Sequence, residues 1–376
     1  GIATLSAKSV KNGYIDYSNA YFISEEEYER FMVRGFPKKG DILMTTEAPI
    51  GYVAKLDNDK VGIAQRLLTL RGKENYLENN YLMYYLMSAA GQHQLLSRAS
   101  GTTVTGIKQS EFRKVLISIP PIEEQKAIAK VLSDLDEKIE TNNKINKKLE
   151  EMARAIFKQW FIDFEFPNEK GKPYKSSGGE MVESELRMIP KGWKVVTLGD
   201  YIQVKHGYAF KSKYFSDDET SNILLTPGNF KIGGGFYDKK FKYYLDEGEI
   251  KEEYILNEDD LIITMTDLSK DGDTLGYPAI VPKIRDKRIL HNQRLGKIEI
   301  INKEISKEFI YYLMCNPYYR YHILATATGT IVRHTAPKRV TNYKFALPND
   351  FKIFNELICS YKKILKRTNY ILNENR

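Results

Sequence analysis

The sequence predicts an α+β protein. It has two β-rich globular units with small helices, each followed by a long helix, and the two long helices pair antiparallel as a coiled coil about a pseudo-twofold internal repeat. Three observations carry this. Short segments recur in the same order at a spacing of about 228 residues. Each copy passes from short β-type runs bounded by turn residues into one apolar helix. Between the copies, residues 122–160 hold an apolar seam uninterrupted by glycine or proline.

The repeat is visible as matched strings. "GDILMTT" at Gly40–Thr46 returns as "DDLIITMT" at Asp259–Thr266, with about nine extra residues in the loop that follows in the second copy. "AQRL" at Ala64 returns as "NQRL" at Asn292, "YYLM" at Tyr84 as "YYLM" at Tyr311, and "GTTV" at Gly101 as "GTIV" at Gly329. "SIP" ending at Pro120 returns as "ALP" ending at Pro348. These strings place a helix near Tyr76–Ser88 and another near Ser306–Cys315. A final strand is expected in "KVLISIP" and again in "YKFALP". Counting back one repeat from Trp193 falls about 30 residues before Gly1, so the first unit is expected to lack its opening strands.

The stretch "CNPYYR" after the second "YYLM" is similar to the Asn-Pro-Pro-Tyr pocket of amino-methylating DNA enzymes, in which an aromatic residue stacks on a flipped base. The second proline is missing, the first copy reads "SAAG" there, and no glycine-rich turn follows a strand to hold S-adenosylmethionine. "GGGF" at Gly233–Phe236 sits among turn residues. The stretch is therefore read as a helix end, with Pro317 blocking continuation.

The first long helix opens with Pro121 and Glu123-Glu124, suited to a helix N-terminus and its dipole. Its seam runs Leu132, Leu135, Ile139, Asn142, Ile145, Leu149, Met152, Ile156, a coiled-coil stripe in which Asn142 fixes register. About 40 residues of helix reach roughly 60 Å. The second, from about Phe351, carries Leu357, Tyr361, Ile364, Thr368 and Ile371 on one face and is the natural partner of the first. The segments are 1–120 for the first unit, 121–165 for the first helix, 166–190 for a polar linker, 191–348 for the second unit and 349–376 for the second helix.

Composition narrows the function. A net charge of +8 favours a polyanionic partner. No apolar run reaches membrane-spanning length and no signal peptide opens the chain. The two cysteines lack metal or disulfide spacing, which fits a reducing, cytoplasmic setting. There is no HExxH, no His-Cys cluster and no P-loop, so neither metal chemistry nor DNA translocation is supported in this chain.

The order of unit, helix, unit, helix resembles the specificity subunit of type I restriction-modification systems. "SIPPIEEQKAIAKVLSDLDEKIE" is similar to that family's central repeated region, and "WFIDFEFPNEKGKPYKSSGGEMVESELRMIPKGWKVVTLGD" to its passage into the second target recognition domain. The resemblance covers nearly the whole chain. It implies a non-catalytic reader of double-stranded DNA, each recognition domain taking one half of a bipartite site while the helices set the unread gap. It also implies docking to two methyltransferase subunits and a motor-nuclease subunit. S-adenosylmethionine and ATP would belong to those partners and no cofactor to this chain.

The candidate DNA contacts are amide, hydroxyl and basic residues at matching places in the two copies. They are Gln65 and Arg66, and Gln293 and Arg294, of which one per pair would reach DNA if they lie on strands. They include Thr102, Thr103 and Lys108 on one Gly/Thr loop, and Thr330, Arg333, His334, Lys338 and Arg339 on the other. Lys205, His206, Lys211 and Lys213 lie around aromatics in "VKHGYAFKSKYF", while Lys8 and Thr45 complete the first unit's set. Solvated surface loops, or a partly buried hairpin with exposed lysines, explain the same residues without DNA. Two rival readings stay open. One is the recognition fragment of a fused restriction-methylation enzyme; the other is a coiled-coil assembly protein whose units bind protein.

Overall fold

A computed structural model describes residues 1–374 apart from Arg34, Thr102, Thr103, Lys239 and Lys270, with backbone alone at 352–353, 355–356 and 368–374. The chain divides into two compact units, Gly1–Glu140 and Thr141–Arg376.

The first unit contains β1 (Ile2–Leu5), β2 (Tyr21–Ile23), α1 (Glu25–Phe31), β3 (Ile42–Thr45), β4 (Val53–Lys55), β5 (Gly62–Ile63) and β6 (Leu67–Leu70). Then come α2 (Asn79–Met87), α3 (Ala89–Leu96), α4 (Gln109–Phe112) and the start of α5 (Ile122–Phe157). Its sheets run β2-β1-β5 and β4-β3-β6. Buried Ile42, Met44 and Val53 pack on Leu82, Met83 and Leu86 of α2, so the strands' inner face and the helix's apolar stripe share one core.

The second unit holds the rest of α5, then β7 (Met181–Val182), β8 (Ile189–Pro190), β9 (Trp193–Thr197), β10 (Ile202–His206), β11 (Phe215–Ser216) and β12 (Asn222–Leu224). There follow β13 (Lys242–Tyr244), β14 (Ile255–Leu256), β15 (Leu261–Thr264), β16 (Thr266–Asp267), β17 (Pro278–Ile280), β18 (Arg288–Leu290) and β19 (Leu295–Ile300). The unit closes with α6 (Lys307–Met314), α7 (Pro317–Thr326), β20 (Arg333–His334), α8 (Pro337–Thr341), β21 (Lys344–Pro348) and α9 (Asn355–Glu374). Its larger sheets run β11-β13-β12-β18-β14 and β10-β19-β15-β17.

The duplication extends to the pairing pattern. β1 lies between antiparallel β2 and parallel β5, as β12 lies between antiparallel β13 and parallel β18. Past each strand the same turn is fastened the same way: the Ser6 amide donates to Ser9 Oγ at 3.2 Å, and the Thr226 amide to Asn229 Oδ1 at 2.9 Å. Gly1 thus stands where Ser221 stands in the second copy, and among the described residues of the first unit no strand takes the places of β9 and β10.

The consequence is local. β19 is flanked by β10 and β15, whereas β6 pairs with β3 alone among the described residues. β21 pairs with β9, whereas the strand expected in "KVLISIP" is an irregular run at 115–120 with Leu116 69% exposed. That run is held instead by the Tyr81 and Tyr85 hydroxyls, which donate to the Ser118 and Leu116 carbonyls at 2.7 and 2.9 Å. Unpaired edges open without breaking a ladder. Amides of β6 that face away from β3, and those of 116–119, will therefore exchange about 100-fold faster than their counterparts in β19 and β21. Equal rates by hydrogen-exchange mass spectrometry would refute the open edge.

Two further expectations change. "NPYY" follows the end of α6 at Met314 and also begins the next helix. Asn316 caps α7, its Oδ1 accepting the Tyr318 amide at 2.8 Å, with Pro317 in the first turn, where its missing N–H costs nothing. In the first unit Ser88 caps α3 in the same place, accepting the Gly91 amide at 3.2 Å. The polar stretch 166–190 is packed rather than free. Phe166 stacks on Tyr174 at 4.7 Å and on Trp193 at 5.4 Å, and β7 pairs with β8. Phe164 and Phe166 are buried among Phe157, Phe161, Phe309 and Phe354, so the few aromatic residues of this stretch outweigh its charged ones.

α5 is continuous over 36 residues, roughly 54 Å of helix, and ends in a π-helical turn at Lys158–Ile162. Buried Gln125 pins its start to the first unit: its amide donates to the Tyr76 and Pro120 carbonyls at 3.0 and 2.8 Å and accepts the Glu78 amide at 3.0 Å. Beyond Gln125, the buried positions along the helix are Ala129, Asn146, Ala153 and Phe157. The predicted seam is displaced from them. Leu132, Leu135 and Met152 are 36%, 53% and 57% exposed, and Ile139, Asn142, Ile145, Leu149 and Ile156 are half-buried. Ahead of Phe157 the buried residues are small or polar, and α2 and α6 reach this part of the helix through tyrosine hydroxyls. Tyr84 donates to Asp136 at 2.7 Å, and Tyr311 donates to Glu150 at 3.4 Å. α9 packs its Tyr361 on Tyr312 at 4.6 Å and on Phe157 at 6.4 Å. The Thr368 and Ile371 side chains lie outside the described residues.

Candidate nucleic-acid interface

Backbone hydrogen bonds gather the scattered candidate segments of each copy into one row. In the second unit the Met265 amide donates to the Arg294 carbonyl at 2.8 Å, and the Thr335 amide to the Met265 carbonyl at 3.0 Å. Next to them β16 pairs with β20, Thr266 opposite His334 and Asp267 opposite Arg333. The other side of the row is closed by the Gln293 amide, which donates to the Tyr208 carbonyl at 2.9 Å, and by Gly207, next to His206, whose amide donates to the Leu295 carbonyl at 3.3 Å.

The first unit repeats this geometry. The Thr46 amide donates to the Arg66 carbonyl and the Ile107 amide to the Thr46 carbonyl, both at 2.9 Å. Bridges join Glu47 and Ser100 to Gly106, as Thr266 and Thr328 are joined to His334. One unit thus brings together Gln65, Arg66, the loop near residue 101 and Lys108. The other brings together His206, Gln293, Arg294, Thr330, Arg333 and His334.

The individual placements differ from expectation in informative ways. Gln65-Arg66 and Gln293-Arg294 occupy turns rather than strands, and all four side chains are exposed, so both members of each pair can face a ligand. Arg66 has φ 69° and ion-pairs with Glu47. No side-chain hydrogen bond engages Gln65, Gln293, Arg294 or Lys338 among the described residues. Thr45 is corrected: it is fully buried, and its hydroxyl accepts the Tyr52 amide at 2.9 Å, so it shapes the turn from within. Thr102 and Thr103 lie outside the described residues. Thr330 and Ile331 form an exposed tip, with Ile331 79% exposed.

Several basic candidates are already engaged. Lys205 pairs with Glu299 at 2.7 Å, and Lys213 sits 4.7 Å over the Tyr214 ring. Arg339 donates to Thr328 Oγ1 at 3.2 Å and to the His334 carbonyl at 3.5 Å, bracing the loop from behind, while His334 Nδ1 lies 3.0 Å from Thr266 Oγ1. Lys8, Lys108 and Lys211 are exposed, and Lys108 precedes α4 as its N-terminal flank.

Sequence reasoning missed the groups that stiffen the row. Burial raises the Asp267 carboxyl, but hydrogen bonds from Thr274 and Ser269 outweigh it and hold the group below the ordinary carboxylate range. Its oxygens accept the Ser269 amide at 2.6 Å and the Thr274 hydroxyl at 2.6 Å, tying down the loop behind β16. His291, beneath the Gln293-Arg294 turn, is buried with Nε2 3.1 Å from the Leu295 carbonyl. The only available signal was the strand-turn setting of "HNQRL", which does not report burial.

His291 gives a pH prediction. Burial lowers its pKa from 6.5 to about 4, so the folded state keeps it neutral. Below the unfolded value the unfolded chain binds a proton that the folded chain does not. Stability of the second unit will therefore fall as pH drops from about 6.5 to about 4, by at most about 3 kcal/mol. The loss will flatten in His291→Gln, whose amide can still donate to Leu295. Urea unfolding of both proteins across that range checks it, and parallel curves would reject it.

Among the described residues no three His, Cys, Asp or Glu side chains converge as a metal site, and no helix is long and apolar enough to cross a membrane.

The family model for the type I restriction modification DNA specificity domain matches residues 4–151 and 190–374. The MjaIX type I restriction enzyme specificity subunit of Methanocaldococcus jannaschii is 37% identical over 190 residues, covering 49% of this chain and 40% of that protein. The MjaVIII specificity subunit of the same organism is 25% identical over 294 residues, covering 76% and 64%. The matches thus span less than two thirds of either relative's length. The crystal structure of a type I restriction-modification S subunit from M. genitalium shares the fold, with TM-score 0.52 at 16% identity over 100% of this chain and 88% of that one.

Proposed function

This chain belongs to the type I restriction-modification DNA specificity family, and from that membership we propose that it is the non-catalytic DNA reader of such a system. Each unit reads one half of a bipartite site in duplex DNA through the row built around Gln65-Arg66 or Gln293-Arg294. α5 carries both readers and sets the unread gap between the half-sites. Methyltransferase subunits, bringing S-adenosylmethionine, dock on the helical part, and an ATP-driven motor-nuclease subunit joins them for cleavage.

The observation that carries the reading is the duplicated row. The same backbone bonds present an exposed glutamine-arginine turn in both units, while the residues around it differ (Lys108 in one, Arg333 and His334 in the other). The glutamine amide can donate to N7 and accept from N6–H of adenine, and the arginine guanidinium can donate twice, to O6 and N7 of guanine, in the major groove. Two similar frames with different side chains are what an asymmetric, two-part target requires.

The test is to co-express the chain with a cognate methyltransferase subunit and map methylated adenines across a host genome. The expected result is one split motif with a fixed gap, and Arg294→Ala will relax bases in one half only. A short continuous motif would point to a single reader. No methylation from a stable complex would reject the reading for this chain.

A further inference from the structure

The glycine run at 233–235 has a role in the structure that DNA reading by itself does not use. Gly233, Gly234 and Gly235 take φ values of 89°, 102° and 105°, which side chains with a Cβ rarely adopt. A Cβ on Gly234 would lie 2.7 Å from Cys315 Sγ on the α6 side of the turn. The run is therefore shaped to let the backbone come close to the helices, and a side chain of α5 meets it there. Arg154 donates from Nη1 to the Gly233 carbonyl and from Nη2 to the Gly234 carbonyl at 3.5 Å. Its Nε lies 3.3 Å from Glu150 Oε2, and Glu150 Oε1 accepts from Tyr311 of α6. One guanidinium thus ties α5 to a recognition-unit turn, and its neighbouring carboxylate ties α5 to α6.

The turn is also joined to the sheet that ends in the candidate interface. The Gly235 amide donates to the Pro278 carbonyl of β17 at 2.8 Å. Pro278 pairs with Ile263 of β15, and β15 leads directly into Met265, which is bonded to Arg294 and Thr335. Only a few covalent and hydrogen-bonded steps separate Arg154 from the Gln293-Arg294 turn. Planar guanidinium, with several donors in a fixed fork, holds two carbonyls and a carboxylate in one orientation, which a lysine cannot do.

Resting on the proposed DNA-reading function, we infer that Arg154 is a positioning residue for specificity. By clamping the Gly233–Gly234 carbonyls it fixes the attitude of the second reader on α5, and so keeps the gap between half-sites to a single length. The residue touches no DNA. Its loss leaves the bases of each half-site as they were and loosens the distance between them.

Three proteins test this in the complete methyltransferase complex: wild type, Arg154→Met and Arg154→Lys. In wild type the genome-wide methylation map gives one gap. Arg154→Met is expected to add sites one base pair longer or shorter, with methylation at the native gap reduced about 10-fold and both half-sites unchanged. Arg154→Lys is expected to fall between the two. Hydrogen exchange gives a readout independent of methylation: amides of 231–237 will exchange faster in Arg154→Met while β15 and β19 stay protected. An unaltered gap, or a uniform loss of methylation tracking a lower melting temperature, would overturn the inference and leave Arg154 a stability residue. Unchanged exchange at 231–237 would overturn the clamp even without any methylation data. Failure of wild type to methylate a split site would instead strike the DNA-reading proposal.

Discussion

Phe157→Ala will cost the second unit about 3–5 kcal/mol of unfolding free energy. Phe157 is buried at the last turn of α5, where its ring meets Phe161 at 5.0 Å, Phe309 at 5.2 Å and Tyr361 at 6.4 Å. It therefore joins three parts of the fold: the π-helical turn, α6 and α9. Truncation removes the buried ring and leaves a cavity among aromatic neighbours that are themselves locked by Trp193, Phe351 and Phe354. Rigid surroundings relax little, which places the cost toward the upper part of the range. Both tryptophans, Trp160 and Trp193, lie in this unit and next to this cluster, so urea unfolding followed by their fluorescence reports it directly. A loss below about 1 kcal/mol would mean that the ring is not packed as described.

How far the sequence revealed this architecture depended on what kind of residue carried each feature. The repeat was legible because strand, helix and turn residues recur together, and "YYLM" marked α2 and α6 directly. "NPYY" was misplaced because Asn-Pro follows one helix and starts the next. Proline ends a helix and also suits its first turn, and only the Asn316 hydrogen bond to Tyr318 separates the two. The 166–190 stretch looked free on composition, but its packing is decided by Phe166 and Tyr174, with Phe164 just before it, not by its many polar and charged residues. At the candidate interface, recurrence found the Gln-Arg turns but could not tell exposed Arg294 from buried Thr45. Thr45 sits at the end of an all-buried strand, where position in the sheet outweighs a polar side chain. The glycine run was read as a turn. Its partner Arg154 lies 79 residues earlier, beyond any local pattern.

The α5 seam is where sequence and structure disagree most usefully, because it leads to the second large effect. The coiled-coil spacing put Leu132 and Leu135 in the seam, yet these are exposed, together with Ile128 and Val131 at 39% and 61%. Spacings of three and four residues put them on one face of the helix. Inward contacts are made instead by buried Gln125 and Ala129, while exposed Asp136 accepts from the Tyr84 hydroxyl, and none of these needs the leucines. A row of exposed apolar side chains on an otherwise charged helix has the character of an interaction surface. Under the proposed function its partner is the methyltransferase subunit. Leu132→Gln combined with Leu135→Glu will therefore weaken co-purification with it by about 100-fold or more, since two apolar contacts are lost and a carboxylate must be desolvated. Gln and Glu match Leu closely in helix propensity, and both sites are open to solvent, so the chain's own melting temperature will stay nearly unchanged. Isothermal titration against the subunit, with a melting curve of the double variant alone, separates the outcomes. Undiminished binding would remove this face from the docking surface. A sharp drop in melting temperature would show that the leucines belong to the chain's own core.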